Sequence, residues 1–471
     1  MDRGATGDST MKLSLLVFAL APFAVATVAC GGTDAVGTPS PDAGPDAAVD
    51  AAPLDAGSTT PDAAPLDAAP DVDNGAPSTM YPAPHPLPPQ VVEGGGVVLA
   101  HPKVVPIFFA DYDATLQSGA TDFVTQLAAL TSYTSATLSE YGVAGLTAGT
   151  PIILTEDAPV GTTATPYDDS SIETWLSNKL TSNDPQFGAP DPNVIYTIFF
   201  PASTIISLGQ DMSGQPSLSC TSFGGYHNDI DIAAGGGDAG ADAGTQSIAY
   251  AVIPSCSNFN GLNGIDMITA AASHEIAEAS TDPFPAETLT GYSDVDQNHI
   301  VWDFVLGGGE IGDMCAQYPD AFFKPTGFDY YVQRIWSNAA ALAGHDPCIP
   351  ADAPVYFNSA VNLPDMVTLP FGGGLTTLGV KVLTGDSATL EVDLFSDGAT
   401  SGPWTVTATE PTMGTSNSLD LSLDRSTGVN GEKLHLTVKT VAPNSYGVSV
   451  FLLTSTLGTQ TTYWAGMVQT K

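Results

Sequence analysis

The pattern of apolar positions changes twice along the chain. From Leu13 to Val28 apolar residues run nearly unbroken, with Ser14 and Thr27 the polar exceptions. From about Gly31 to Pro89 bulky apolar residues almost vanish. Beyond that, short β-branched and aromatic runs alternate with stretches of helical spacing. Lys103–Phe109 (KVVPIFF), Asn193–Phe200 (NVIYTIFF) and Ser247–Ile253 (SIAYAVI) predict buried strands. Asp122–Tyr141 repeats Phe123, Leu127 and Leu130 at helical spacing, and Ser171–Leu180 does so with Ile172, Trp175 and Leu180. Such alternation predicts a sheet packed with helices. After Cys348 the pattern becomes short alternating strands between turn residues: Leu375–Leu383, Ala388–Phe395, Trp404–Thr409, Leu434–Val438, Val448–Ser455 and Thr461–Val468. That texture predicts a β-sandwich. The expected fold class is therefore α+β over residues 95–350, followed by an all-β sandwich module over 351–471 that carries no visible chemical constellation.

The first two textures set the compartment. Met11-Lys12 opens a short basic segment ahead of the apolar run, which is too short and too abruptly ended for a membrane span. Residues 1–29 are expected to be a signal peptide. The run ends in Thr27-Val28-Ala29-Cys30-Gly31-Gly32, a small-residue triplet ending in Cys that is similar to a bacterial lipoprotein cleavage site. Cys30 would then be the lipidated first residue, although Thr27 departs from the usual aliphatic residue, and ordinary signal cleavage nearby is the alternative. Residues 30–94 are expected to form a solvated, disordered tether, because Ala, Asp, Pro and Ser bury too little to offset their ordering entropy. Ala-Pro-Leu-Asp-Ala recurs there at 52–56 and 64–68. With Cys30 set aside, Cys220, Cys256, Cys315 and Cys348 remain, and an even count in an exported chain predicts two disulfides. Pairing neighbours in sequence, Cys220–Cys256 and Cys315–Cys348, closes the shorter loops. The expected location is the cell envelope or the extracellular space, with the lipid anchor as the sole membrane contact. Gly235–Thr245 (GGGDAGADAGT) is expected to be a disordered surface insertion.

Charge narrows the partners. The 471-residue chain has a net charge of −40. Residues 81–350 alone carry −26, with Lys103, Lys179, Lys324 and Arg334 as their only basic side chains. This excludes nucleic-acid binding through a basic patch. A field of that sign suits divalent cations and basic substrates.

The sharpest chemical signal lies in Gly264–Pro283 (GIDMITAAASHEIAEASTDP). Asp266–Thr281 has no Gly or Pro and should be a helix with one buried face, ended by Pro283. His274 and Glu278 stand at i and i+4 on it, so both side chains leave one face one turn apart. An imidazole and a carboxylate so placed can chelate one metal ion, as the two His of H-E-x-x-H do. Glu275 matches the Glu of that motif, which takes a proton from metal-bound water. The ordinary alternative is a His–Glu pair that hydrogen-bonds within the helix. A third ligand must come from elsewhere. Glu310 is the first choice, in Gly308–Cys315 (GGEIGDMC), with Asp313 in the same loop, His227 in Phe223–Asn228 (FGGYHN) and Asp282 as alternatives. Zinc heads the expected divalent ions, though a carboxylate-rich set weakens its claim over harder ions. Asp294, Asp296 and Asn298 imitate a calcium loop, but His299 replaces its glycine and Val305 its bidentate Glu, so a hairpin turn is expected. His85, His101, His345 and His435 show no partner spacing.

Taken in order, Ser273–Pro283 (SHEIAEASTDP), Trp302-Asp303, Gly309–Cys315 (GEIGDMC) and Val332–Asn338 (VQRIWSN) resemble the plant EXORDIUM/phosphate-induced protein family and its bacterial secreted relatives. Cys220–His227 is similar to a Cys-to-His motif of that family. The likeness covers about 95–350 and implies an exported, wall-associated or extracellular protein. The helix motif also resembles the zincin metallopeptidases, without their second His. That second resemblance implies a mixed sheet with helices and a metal-dependent hydrolase, peptidase-like, acting on a peptide or cell-wall substrate. The rival expectation is a non-catalytic surface or wall protein in which the same residues form a structural polar or metal cluster.

Overall fold

A computed structural model describes residues 73–182, 184–210, 214–233, 245–369, 374–411 and 417–470. The expected signal peptide, Cys30 and most of the expected tether lie outside the described residues. So does the low-complexity insertion, except Thr245, which begins a strand. Among the described residues, no helix is long and apolar enough to cross a membrane.

The first region is built on a six-stranded mixed sheet. Its main strands are β1 (Lys103–Phe108), β2 (Val194–Phe200), β3 (Tyr226–Ala233) and β4 (Thr245–Pro254). The spatial order is β1-β2-β4-β3, and the short strands Thr147–Ala148 and Ile152–Ile153 pair with the outer edge of β1. Strands β1, β2 and β4 are parallel, while β3 runs antiparallel to β4 along the far edge. All seven residues of β2 are buried, as expected of a parallel strand covered on both faces. Strand alternation sends Ile107, Phe109, Ile198 and Phe200 to one face, under Ile172, Leu176 and Leu180 of helix α2 (Asp169–Thr181). Phe108 and Phe199 point to the other face, under Phe123 and Leu127 of α1 (Ala114–Ala129) and Ile268 and Ala272 of α3 (Gly264–Thr281).

Two helix boundaries differ from expectation. Asp113 caps α1 by accepting from the amides of Thr115 and Leu116, so α1 begins eight residues before the periodic run. It ends at Ala129 with Leu130 as its C-cap, and a second helix, Thr131–Thr137, follows. Both disulfides form as expected, Cys220–Cys256 and Cys315–Cys348. The first ties the loop before β3 to the end of β4.

All six strands expected after Cys348 are present, within one or two residues at most ends. They join others into a four-stranded and a six-stranded sheet facing one another across a common core. Strands Phe357–Val361, Asp365–Thr368 and Leu419–Leu423 escaped the pattern. The boundary at 350 does not separate two cores. Trp302 packs edge-on against Trp464 with ring centroids 5.8 Å apart and lies 6.2 Å from Trp336, so one apolar cluster runs from the α+β region into the sandwich.

A correction concerns the tether. Residues 73–94, expected to be disordered, are folded against the body. The reason lies in one buried amide rather than in apolar bulk. Asn430 Nδ2 donates to the carbonyls of Ser78 (3.0 Å) and Met80 (2.8 Å), while its Oδ1 accepts from the amides of Ala83 (3.1 Å) and Ser396 (2.9 Å). The His85 ring stacks on Phe395 at 3.7 Å, and Val91–Glu93 pairs with Tyr292–Val295. Asn430→Ala should remove all four bonds and lower unfolding free energy by about 3 kcal/mol. Denaturant melting checks this, and limited proteolysis should cut residues 73–89 sooner than in wild type.

Candidate metal centre

Helix α3 has no solvent face. Every residue from Met267 to Thr281 is buried, where one buried face was expected. The run of Ala270, Ala271, Ala272, Ala277 and Ala279 makes this workable, because small side chains let the sheet, α1 and the strand Val332–Gln333 all approach closely. An all-round buried helix must place its polar side chains on partners inside the protein.

The partners are the residues singled out by sequence. His274, Glu275 and Glu278 of α3 meet His227 of β3, Asp282 at the end of α3, and Glu310 and Asp313 from the loop at 307–313. His227, His274, Glu275 and Glu278 are 0% exposed, and Glu310, the most open of the seven, is 3% exposed. Glu278 occupies the middle. Its Oε1 accepts from the amides of Gly312 (3.1 Å) and Asp313 (3.0 Å), which turns Oε2 toward both imidazoles, 3.0 Å from His274 Nε2 and 3.8 Å from His227 Nδ1. His274 Nε2 also lies 3.7 Å from Asp313 Oδ1 and 4.0 Å from Glu275 Oε1. On the other side, His227 Nδ1 is 3.6 Å from Glu275 Oε2.

Both imidazoles are fixed from behind. Gln333 Nε2 donates to the Gly312 carbonyl (2.5 Å), which leaves its Oε1 to accept from His274 Nδ1 at 2.8 Å. Nδ1 therefore carries a proton, and Nε2 is the ring nitrogen that faces the carboxylates. His227 Nε2 donates to the Asp282 carbonyl (3.1 Å), so its Nδ1 is the nitrogen that faces them. Gln333 is the functional residue that motif reading passed over, although it lies within the VQRIWSN stretch. Three glycines leave the space this requires. A Cβ on Gly225 would stand 2.8 Å from Glu275 Oε1, one on Gly312 2.7 Å from both Glu278 Oε1 and His274 Nδ1, and one on Gly308 1.6 Å from Asp313 Oδ2.

Electrostatically the cluster is unbalanced. It buries five carboxyl groups with two imidazoles. The basic side chains of the region are engaged elsewhere: Lys179 with Glu156 and Asp184, Lys324 with Asp266, Arg334 with Asp320 and Asp346, while Lys103 is exposed. Burial, reinforced by the Glu278 carboxylate, pushes Glu310 and Asp313 well above the usual carboxylate range. Burial opposes charging of His274, but Glu278 and Glu275 overcome it and raise this group to about 10. His227 Nδ1, both oxygens of Glu310, both oxygens of Asp313 and Asp282 Oδ2 are buried without a hydrogen-bond partner. The open His227 Nδ1 and the orphaned carboxylate oxygens are what a cation would satisfy, so the residues present fit a divalent ion. The donor set of imidazole nitrogen and carboxylate oxygen admits zinc and harder ions alike.

Three expectations shift in detail. Asp313, not Glu310, completes a triad with His274 and Glu278 whose donor atoms all lie within 4.8 Å of one another. Glu310 Oε1 instead lies 3.7 Å from His227 Nε2, the edge already engaged with Asp282. The turn at Gly312 decides this, because it starts the short helix Asp313–Ala316 beside His274. Asp282 Oδ1 is taken up by the Gly291 amide at 2.6 Å. At the calcium-loop lookalike, Asp296 caps a 3-10 turn, Gln297–His299, that leads into a helix rather than a hairpin.

No family model matches the chain, and no curated protein matches it. Solved structures similar to part of it include domains 4 and 5 of the S-layer protein SbsC, at 18% identity and TM-score 0.16, covering 24% of this chain and 53% of that one. The titin M3 domain is similar at 12% identity and TM-score 0.14, covering 20% and 88%. The chain thus spans about half the length of that S-layer fragment. Likenesses this partial establish neither a relationship nor an activity.

The buried charge has a pH signature in chelator-treated protein. Glu310 and Asp313 keep protons in the folded state that the unfolded chain releases near pH ~4. His274 keeps one from its ordinary 6.5 up to about 10. In both cases the folded state binds more protons, so stability falls as pH rises. Melting temperature in chelator should therefore decline steadily between about pH 5 and 9, and added divalent cation should restore it at the alkaline end. A flat or rising profile would contradict the arrangement.

Proposed function

We propose that this chain is an exported cell-surface protein organised around a buried divalent-cation centre held by His274, Glu278 and Asp313. The observation that carries this reading is His274 Nε2, its ring fixed by Gln333 and this nitrogen aimed at two carboxylates in a fully enclosed site. Two disulfides support an oxidising compartment. Kinship with the EXORDIUM/phosphate-induced proteins is part of the proposal. Three of the stretches that carry the resemblance supply the centre: 273–283 gives His274, Glu275, Glu278 and Asp282, 309–315 gives Glu310 and Asp313, and 332–338 gives Gln333. Closed coordination is the mark of a structural ion rather than a catalytic one.

A second reading is the metal-dependent hydrolase, peptidase-like and acting on a peptide or wall polymer. Glu275 favours it, because this carboxylate lies beside His274 where the zincin motif puts its base. A bound cation would supply an activated water, and Glu275 would hold or move its proton. Against it stands the burial of every side chain of the centre, since a polymer could reach them only if covering segments moved.

Elemental analysis of the full chain separates these readings. Wild type should carry at least one equivalent of divalent metal, and His274→Ala about one equivalent less at the same free metal. Equal metal in both proteins would overturn the centre. Metal-loaded wild type should leave casein uncut. Hydrolysis that disappears in Glu275→Gln with metal retained would instead establish the hydrolase.

A further inference from the structure

We infer that the centre holds two divalent cations, with the Glu278 carboxylate between them. This rests on the cation-centre reading and adds a second site to it. The first ion belongs to His274, Glu278 and Asp313. The second belongs to His227, Glu275 and Glu278, whose donor atoms also all lie within 4.8 Å of one another. Glu278 is the one residue common to both groups.

The second site stands on His227. Its ring is fully buried, and the Asp282 carbonyl accepts a hydrogen bond from Nε2. Nδ1 is left with no hydrogen-bond partner. It points at Glu275 Oε2 (3.6 Å) and Glu278 Oε2 (3.8 Å), beyond hydrogen-bond length and within the span of two ligands on one ion with bonds of roughly 2.0–2.2 Å. A single ion between His274 and Asp313 leaves this imidazole lone pair facing two carboxylates across a gap. A second ion fills that gap.

Charge argues the same way. Five carboxyl groups with one dication leave an excess of up to three negative charges in a site without solvent. Two dications reduce the excess to at most one, which a single proton removes. A carboxylate shared by two ions places them roughly 3.5–4 Å apart, the spacing of two-metal centres. In this arrangement Glu275 is a ligand of the second ion. The hydrolase reading would then need a base other than Glu275.

The test is stoichiometry. Full-length protein stripped with chelator is titrated with Zn²⁺, and separately with Mn²⁺, and bound metal is counted by native mass spectrometry. Wild type should saturate at two equivalents. His227→Ala and His274→Ala should each saturate at one, and Glu278→Gln should bind both ions at least tenfold more weakly. Wild-type saturation at one equivalent overturns the second ion and leaves the first site standing. Saturation at none overturns both. A variant-free measurement covers the case in which substitutions disturb folding: the electron paramagnetic resonance of Mn²⁺-loaded wild type should show an exchange-coupled pair. An isolated-ion spectrum at full loading overturns the inference.

Discussion

Five carboxyl groups and two imidazoles are buried around one helix, and β3, the 307–313 loop and the Val332–Gln333 strand close on that helix to hold them there. Unpaired charges in a low-dielectric interior are costly, so each must be met by a donor, a proton or a cation. Backbone amides meet two of them. Gly312 and Asp313 offer amides to Glu278, and Gly291 offers one to Asp282. Gln333 and the Asp282 carbonyl then hold both imidazoles with one ring nitrogen of each toward the centre. Supporting bonds of this kind fix the tautomer and aim of metal-binding histidines. The polar network thus surrounds a point that it does not itself satisfy.

The β-sandwich belongs to this arrangement more closely than an appended module would. Its strands Val448–Leu457 and Gln460–Gln469 pack on the helix Val301–Leu306, and Trp464 meets Trp302 there. The chain leaving that helix is the loop that delivers Glu310 and Asp313. Cys315–Cys348 pins the far end of the same segment to the strand that enters the sandwich. A loop rich in glycine would otherwise sample many conformations. Here it is held between a tryptophan contact and a disulfide, and the two acids arrive at defined positions. The strap at 73–90 closes over the same shared core through Asn430 and Phe395.

Much of this was legible in the sequence, for identifiable reasons. Helical spacing put His274 and Glu278 on one face, loop closure selected both disulfides, and alternation located six sandwich strands. The edge strand carrying His227, Tyr226–Ala233, was hidden, because it holds His, Asn and two Asp and follows directly on two glycines. Their reason is spatial: a Cβ on Gly224 would meet the Phe259 ring at 2.7 Å, and one on Gly225 would meet Glu275. All-round burial of α3 was hidden too, since alanine reads equally well as exposed or packed. Composition also misled at 73–94, where ordering comes from backbone carbonyls and amides that meet one asparagine. Choosing Asp313 over Glu310 depends on a single turn three residues long, which periodicity does not resolve.

Closure also bears on when a cation could enter. With His227, His274, Glu275 and Glu278 at 0% exposure, the folded centre offers no open coordination position at the surface. The groups that build it come from β3, α3, the 307–313 loop and the Val332–Gln333 strand, so it does not exist before those elements pack. Ion binding at such a site is coupled to folding, and its free energy becomes folding free energy. Two disulfides point to packing completed in an oxidising compartment, with whatever divalent ion is available there. An acidic surface raises the local concentration of such ions around the chain as it folds. Part of the acidic charge of residues 81–350 lies inside, in the five carboxyl groups of the cluster, and exposed carboxylates such as Asp113 and Asp157 would add to the field drawing a cation toward it.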